Sequence, residues 1–225
     1  MSRFDAILFD AGGVLVLPDP TVLAPLLAYY GGDPAHERHI RAHYLAMAAK
    51  SVAGSSESDW SAYNLVYVDA VGVAPHERDA AAHALQRTRS ALIWRWPIAD
   101  SVLALRELHA AGVPIAIVSN ASGQIEEVLR RSGVCQVGPG EHTPVLTVVD
   151  SHLVGVAKPD PAIFDHALDL LGAHDRRRVA YVGDSVAMDV GGARAAGLHP
   201  ILLDPYGDHV GADFERIASL LELVG

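Results

Sequence analysis

Five short apolar runs in this chain end on residues that can do chemistry. The runs are 6–9, 113–118, 145–149, 179–182 and 200–203. They end at Asp10, Ser119-Asn120, Asp150, Gly183-Asp184 and Asp204. Asp189 follows Asp184 by five residues, and Lys158 stands just ahead of a helical pattern. If the runs are strands lying side by side, Asp10, Asp184 and Asp189 converge. Three close carboxylates repel one another unless a cation or protons neutralise them. An all-oxygen donor set suits a hard ion, Mg²⁺ first. Lys158 at the same end adds a point charge for a phosphate or carboxylate. A plainer account makes each Asp the cap of the helix after its strand. That account covers any one of them, but not the whole set together with Ser119 and Lys158.

The elements that must position these groups are legible in the same pattern. The runs are short, rich in Val, Ile and Leu, and do not alternate with polar residues, as strands buried on both faces of a parallel sheet do. Helical patterns lie between them. Asp100 precedes apolar Val102, Leu105 and Leu108 and suits a cap, with Gly112 as the stop. Ile125, Val128 and Leu129 mark a second helix stopped near Gly133. Asp160-Pro161 opens a third through Phe164, Ala167, Leu168 and Leu171, stopped at Gly172. Strand and helix alternate from residue 98 onward, which predicts an α/β fold with a Rossmann-like parallel sheet flanked by helices. Residues 18–96 differ. They carry helix-like segments at 21–30, 35–49, 60–71 and 76–89 and no comparable strand run. The expected division is an α/β core of residues 1–17 and 97–225 and an all-helical cap insert of residues 18–96. Ligands of such open sheets bind beyond the carboxyl ends of the strands.

Composition sets the outer limits. The chain has 225 residues, half of them hydrophobic, with 17 Lys and Arg against 27 Asp and Glu, a net charge of −10. That is a globular composition. An acidic chain repels phosphate backbones, so nucleic acid is not an expected partner. One cysteine, Cys135, excludes an intramolecular disulfide and any multi-cysteine metal site, and reads as a small buried hydrophobe. No run approaches ~20 apolar residues, so no membrane span is expected. The opening Met1-Ser2-Arg3-Phe4-Asp5 lacks the pattern of a secretory signal. The expected location is cytoplasmic.

Four segments carry a family resemblance. Ile7-Leu8-Phe9-Asp10-Ala11-Gly12-Gly13-Val14-Leu15 resembles the first motif of the haloacid dehalogenase-like hydrolases. Val118-Ser119-Asn120-Ala121 resembles the second. Lys158-Pro159-Asp160-Pro161-Ala162-Ile163-Phe164 is similar to the third, and Val182-Gly183-Asp184-Ser185 through Asp189 to the fourth. The helical insert resembles the cap of the subfamily that places it after the first motif. Most members are Mg²⁺-dependent phosphatases and some are dehalogenases. The resemblance implies that Asp10 is the nucleophile, forming an aspartyl-phosphate with a small phosphorylated metabolite. Ser119 and Asn120 would bind the transferring phosphoryl oxygens, and Lys158 would pair with nucleophile and phosphate. Asp184 would hold Mg²⁺ with Asp10 and the Gly12 carbonyl, and Asp189 would be a further ligand or lie just behind. A carboxylate approaching a phosphate dianion must be screened, and Mg²⁺ with Lys158 would do that.

One position departs from the family. Its phosphatases usually carry a second Asp two residues after the nucleophile, which protonates the leaving oxygen. Here that residue is Gly12. The carbonyl survives and the acid does not, so chemistry should lose a factor of roughly 10²–10⁴ unless another group replaces it. Asp19 and the histidines of the insert are conceivable donors. Three outcomes follow: a weak or selective phosphatase, a catalytically silent binder, or a dehalogenase. Asp184 and Asp189 argue against the last, since without a cation they would repel Asp10. Gly12-Gly13 points to a loop with unusual dihedrals or a close backbone approach.

Other features read more simply. His36, His39 and His43 share one helix face. They could suggest a transition metal, but with no carboxylate or Cys to complete a set they read as a solvated or substrate-facing surface. Arg38 and Arg41 read as solvent-facing, with contact to an anionic substrate as the alternative. Trp94 and Trp96 read as hinge or core packing, with cleft lining as the alternative. Gly191-Gly192 reads as close helix packing and Gly197 as a stop. Hinges for cap motion are expected near 15–20 and 94–99.

Overall fold

The computed structural model describes residues 3–54, 58–172 and 175–224; Met1 and Ser2 of the N-terminal reading lie outside them. The strands are β1 (Ala6–Phe9), β2 (Val16–Pro18), β3 (Trp94–Pro97), β4 (Ile115–Ser119), β5 (Cys135–Val137), β6 (Thr143–Val145), β7 (Val148–Asp150), β8 (Val179–Gly183), β9 (His199–Leu203) and β10 (Glu215–Ile217). The α-helices are α1 (Pro20–Ala28), α2 (His36–Val52), α3 (Ser61–Ala70), α4 (Arg78–Thr88), α5 (Ala99–Ala110), α6 (Ile125–Arg131), α7 (Ser151–Val154), α8 (Ala162–Leu171) and α9 (Gly191–Ala195).

Six strands form one sheet in the order β10-β9-β8-β1-β4-β7, and every pairing in it is parallel. This is the α/β architecture expected from the uninterrupted apolar runs. Alternate residues of each strand face opposite layers. Ile7, Phe9, Ile115, Ile117 and Val182 pack against Leu105 and Leu108 of α5 and Leu129 of α6. Leu8, Val118, Val179 and Tyr181 pack against Phe164 and Leu168 of α8 and Ala193 of α9. From β1 the chain steps outward through β4 and β7, then returns to β8 on the other side. The carboxyl ends of β4, β1 and β8 are therefore neighbours at the point where the strand order reverses, the usual place for a ligand in an open sheet.

Helices α1 to α4 build a core of their own from Leu23, Leu27, Met47, Tyr63, Tyr67 and Leu85. The two stretches linking them to the sheet pair with each other. β2 and β3 form an antiparallel ribbon in which Leu17 faces Trp96 and Pro18 faces Trp94. Sequence patterning did not resolve this ribbon, because three or four residues with a proline carry no periodicity.

Other departures are local. The apolar run 145–149 divides between two sheets. Val145 ends β6, which pairs with β5, and Val148 begins β7. β10 has the sequence Glu-Arg-Ile and no apolar signature, yet it pairs with β9 at the sheet edge. Asp100 is not the cap of α5. Ile98 holds that position, and Asp100 sits in the first turn and accepts from Ser219 Oγ at 3.1 Å. Asp160 accepts from the Ala162 N–H at 3.0 Å, although Pro161 occupies the cap residue of α8. Gly172 ends α8 in the left-handed region. A side-chain carbon on Gly192 would stand 3.2 Å from Pro159 Cα, which is the close helix packing expected there. Cys135 is fully buried, and burial pushes its thiol up to about 12. Among the described residues no helix is long and apolar enough to cross a membrane.

Candidate active site

Asp10 leaves β1 with its N–H bonded to the Val182 carbonyl of the adjacent strand at 2.8 Å. Its Oδ1 accepts from the Ala11 N–H at 2.8 Å and from Lys158 Nζ at 2.9 Å. The chain then folds back tightly. The N–H groups of Leu15 and Val16 both donate to the Ala11 carbonyl, and Gly13 N–H donates to the Val16 carbonyl. Gly13 sits at φ 73°, and a side-chain carbon there would lie 1.8 Å from Asp184 Oδ2. Glycine is required at this position by both the dihedral and the approach.

Asp184 follows β8, and a π-helical turn over Val186–Val190 comes next. Val190 N–H donates to the Ser185 carbonyl five residues back. This wider turn swings Asp189 underneath Asp184, where its Oδ2 accepts from the N–H groups of Asp184 and Ser185 at 3.1 and 2.9 Å. Its Oδ1 accepts from Lys158 Nζ at 2.7 Å and lies 3.0 Å from the Tyr181 hydroxyl. Such turns within helices recur at functional sites. Asp189 is only 1 % exposed, and its two oxygens organise the loop and the lysine at once.

Lys158 is the hub. Its ammonium reaches Asp10, Asp189 and the Tyr181 hydroxyl, the last at 2.7 Å. Asn120 fixes its backbone from both sides, donating from Nδ2 to the Lys158 carbonyl at 3.0 Å and accepting on Oδ1 from its N–H at 2.8 Å. Ser119 ends β4 and lines the same cavity as Asp10, Gly12, Lys158 and Asp184. The remaining strand-end carboxylates do not join. Asp150 caps α7 and accepts from Gly123, and Asp204 holds the loop at 208–209 and Arg216.

The electrostatics follow from burial. Burial pushes Asp10 up to about 7, with Lys158 opposing and Asp189 and Asp184 adding to the rise. Burial alone would depress Lys158, but Asp10 and Asp189 overcome it and hold the ammonium above its ordinary value. One oxygen each of Asp10, Asp184 and Asp189 lie within 4.8 Å of one another. A hard divalent cation fits this donor set, and its charge would relieve the repulsion that lifts Asp10.

The helical segment supplies residues that sequence patterning placed elsewhere. His43 of α2 is not on a solvated face. It is 1 % exposed, and its Nε2 lies 3.2 Å from Asp184 Oδ2 while its Nδ1 lies 2.9 Å from the Tyr63 hydroxyl. Burial pushes this imidazole down to about 3, and the positive charge of Arg89 adds to that. A neutral ring donating to Asp184 and accepting from Tyr63 satisfies both nitrogens. His39 is also buried, bonded to Tyr67 and the Asp33 carbonyl. Tyr44 donates to the Gly13 carbonyl at 2.9 Å. Arg41 is not free in solvent either. It forms a two-point pair with Asp208 at 2.5 and 2.7 Å. Asp19 caps α1 and pairs with Arg95 at 2.8 Å, away from the cavity wall. Trp94 does line the cavity, and its six-membered ring stands 3.2 Å from where a side chain on Gly12 would begin. His43 and Tyr181 had no signal of their own, the first looking like a helix face and the second lying inside an apolar run.

A family model described as haloacid dehalogenase-like hydrolase matches residues 4–197. The chain belongs to that family. Haloacid dehalogenase-like hydrolase domain-containing protein 3 of Homo sapiens is 36 % identical over 110 residues, covering 48 % of this chain and 40 % of that protein. The chain thus spans about two fifths of the length of that relative. The glyceraldehyde 3-phosphate phosphatase of Methanopyrus kandleri is 29 % identical over 166 residues, 68 % of this chain and 67 % of that protein. Among solved structures, a HAD phosphatase from Thermococcus onnurineus superposes with a TM-score of 0.61 at 23 % identity, covering 99 % of this chain and 96 % of that one. That likeness speaks for the shared fold of the haloacid dehalogenase-like hydrolases.

Proposed function

We propose that this hydrolase is a Mg²⁺-dependent phosphatase acting on a small phosphorylated metabolite, with Asp10 as the nucleophile. The observation that carries the reading is the meeting of Asp10, Lys158 and Ser119 at one cavity beside the Asp184–Asp189 pair. The glyceraldehyde 3-phosphate phosphatase relative points the same way. An oxygen of Asp10 attacks phosphorus, the bond to the leaving oxygen breaks, and water then hydrolyses the aspartyl-phosphate. Lys158 holds the attacking carboxylate and draws in the phosphoryl charge, and the Ser119 hydroxyl receives a phosphoryl oxygen. Asn120 acts by fixing Lys158. Asp10, Asp184 and the Gly12 carbonyl would hold the cation, and Asp189 orients Asp184 and Lys158 from behind. Mg²⁺, when bound, supplies the charge that screens the carboxylate from the phosphate dianion.

The helical segment 18–96 serves in this reading as a cap on a core of residues 1–17 and 97–225, with the β2–β3 ribbon as its hinge. Gly12 leaves the leaving oxygen without a carboxylic acid, so esters with good leaving groups should turn over best. Trp94 over Gly12 favours one second reading, a site that binds phosphorylated ligands without processing them.

Phosphate release from a panel of esters and anhydrides decides between them, with Asp10→Asn protein as the blank. Release that needs both Mg²⁺ and Asp10 is expected. Release no greater than the blank for every compound would leave the binding protein.

A further inference from the structure

The cavity above Asp10 has a volume of about 320 Å³, and its charged lining is sharply divided. The floor carries Asp10, Asp184, Asp189 and Lys158. Among the described residues of the helical segment, the charged side chains that line it are Lys50 and Arg89, both cations. In a chain of net charge −10 that is a local reversal of sign.

Neither cation is a loose surface group. Lys50, in the last turn of α2, is 5 % exposed, and its ammonium lies 3.6 Å from the centre of the Trp60 ring. The Arg89 guanidinium lies 4.0 Å from the centre of the same ring and 5.0 Å from that of Tyr63, and it donates to Asn64 Oδ1. Arg89 Nε is buried with no hydrogen-bond partner among the described residues. The charge of Lys50 also helps to hold Asp59 low, after the Ser61 N–H, and Asp59 does not line the cavity. Burying two like charges against one indole is costly, and the ring face offsets part of that. A ligand anion between them would offset more and would satisfy the orphaned donor.

We propose that the physiological ligand carries a second anionic group, a carboxylate or a phosphate, and that Lys50 and Arg89 receive it while the phosphoryl group sits at Asp10. This deepens the phosphatase reading and rests on it for the seat of the phosphoryl group. It narrows the substrate to phosphorylated acids and bisphosphates, and sets neutral sugar and alcohol monoesters aside.

The test is calorimetric and needs no turnover. Full-length Asp10→Asn protein with Mg²⁺ is titrated with ω-carboxyalkylphosphonates of increasing chain length, each matched to an alkylphosphonate of equal length. At one length the carboxylate should tighten binding by about tenfold to a hundredfold, the worth of a buried charge-assisted bond. Lys50→Met should erase most of that gap, and Lys50→Arg should keep it. Arg89 helps pack Trp60, so Arg89→Gln is paired with Arg89→Lys, which keeps the charge, and both are checked for an unchanged melting profile. Equal Kd values for the two series at every length would overturn the proposal. So would a gap that survives Lys50→Met and Arg89→Gln, or the absence of binding by either series. A gap in binding alongside no phosphate release from the wild-type protein would retain this inference and reject only the catalytic reading.

Discussion

The ring of Trp94 stands 3.2 Å from the position at which any side chain on Gly12 would begin. The residue that lacks an acid and the residue that fills the space are thus a matched pair. Gly12→Asp alone sets its first side-chain carbon 3.2 Å from the indole, which must shift to admit it, and turnover should change by less than about tenfold. Gly12→Asp combined with Trp94→Leu frees the space, and turnover should rise by roughly 10², the low end of what a positioned general acid supplies. Steady-state kinetics on an alkyl phosphate check this. A full gain from the single change would show that Trp94 yields easily.

Gly13 separates the loop after Asp10 from Asp184. Gly13→Ala places a methyl 1.8 Å from Asp184 Oδ2 at a backbone φ of 73°. The dihedral alone should cost about 1–2 kcal/mol, and the displaced carboxylate should weaken Mg²⁺ binding. Thermal unfolding with and without Mg²⁺ reads both effects. A variant with wild-type melting and a wild-type shift on adding Mg²⁺ would refute the assignment of Asp184.

His43 makes stability depend on pH in a definite direction. Its folded value, about 3, lies below its ordinary 6.5, so the unfolded chain binds the proton first. The stability it lends is full above about 6.5 and is lost as pH falls toward 3, with a limiting slope of about 1.4 kcal/mol per pH unit. His43→Gln should flatten the denaturation profile across that window. Parallel profiles for the two proteins would mean that the ring is already protonated in the folded state.

Asp10 works in the opposite sense. Its folded value, about 7, lies above the ordinary 3.8, so the stability it lends is present below 3.8 and is lost as pH rises through 7. Without divalent cations, Asp10→Asn should be more stable than wild type at pH 8, with the difference narrowing toward pH 4. Adding Mg²⁺ should stabilise the wild type more than the variant. Chemical denaturation at the two pH values, with chelator or Mg²⁺, is the measurement.

The legibility of the site tracks how locally each role is encoded. Asp10, Ser119 and Asp184 announce themselves because each polar residue closes an apolar run, and a parallel sheet brings such ends together. Asp189 is legible as a spacing, while its place beneath Asp184 depends on a π turn that no side-chain pattern specifies. Lys158 is legible as a charge before a helix, while Asn120 looks like a ligand for substrate and spends its amide on the Lys158 backbone. His43 and Trp94 are set by how the helical segment sits on the sheet. That long-range packing is invisible in helix periodicity. The same holds for β10, whose polar sequence becomes a strand because β9 offers it an open edge.

The ribbon between the helical segment and the sheet has a mechanical consequence. Trp94 is a strand residue of that ribbon and also the cover over Gly12. If the ribbon is the hinge proposed above, a rotation of helices α1 to α4 about it would act as a lever whose short arm ends beside Asp10. Widening the mouth of the cavity and baring the loop after Asp10 would then be a single movement, and a mutation that stiffens the ribbon would slow entry and reshape the reacting end together.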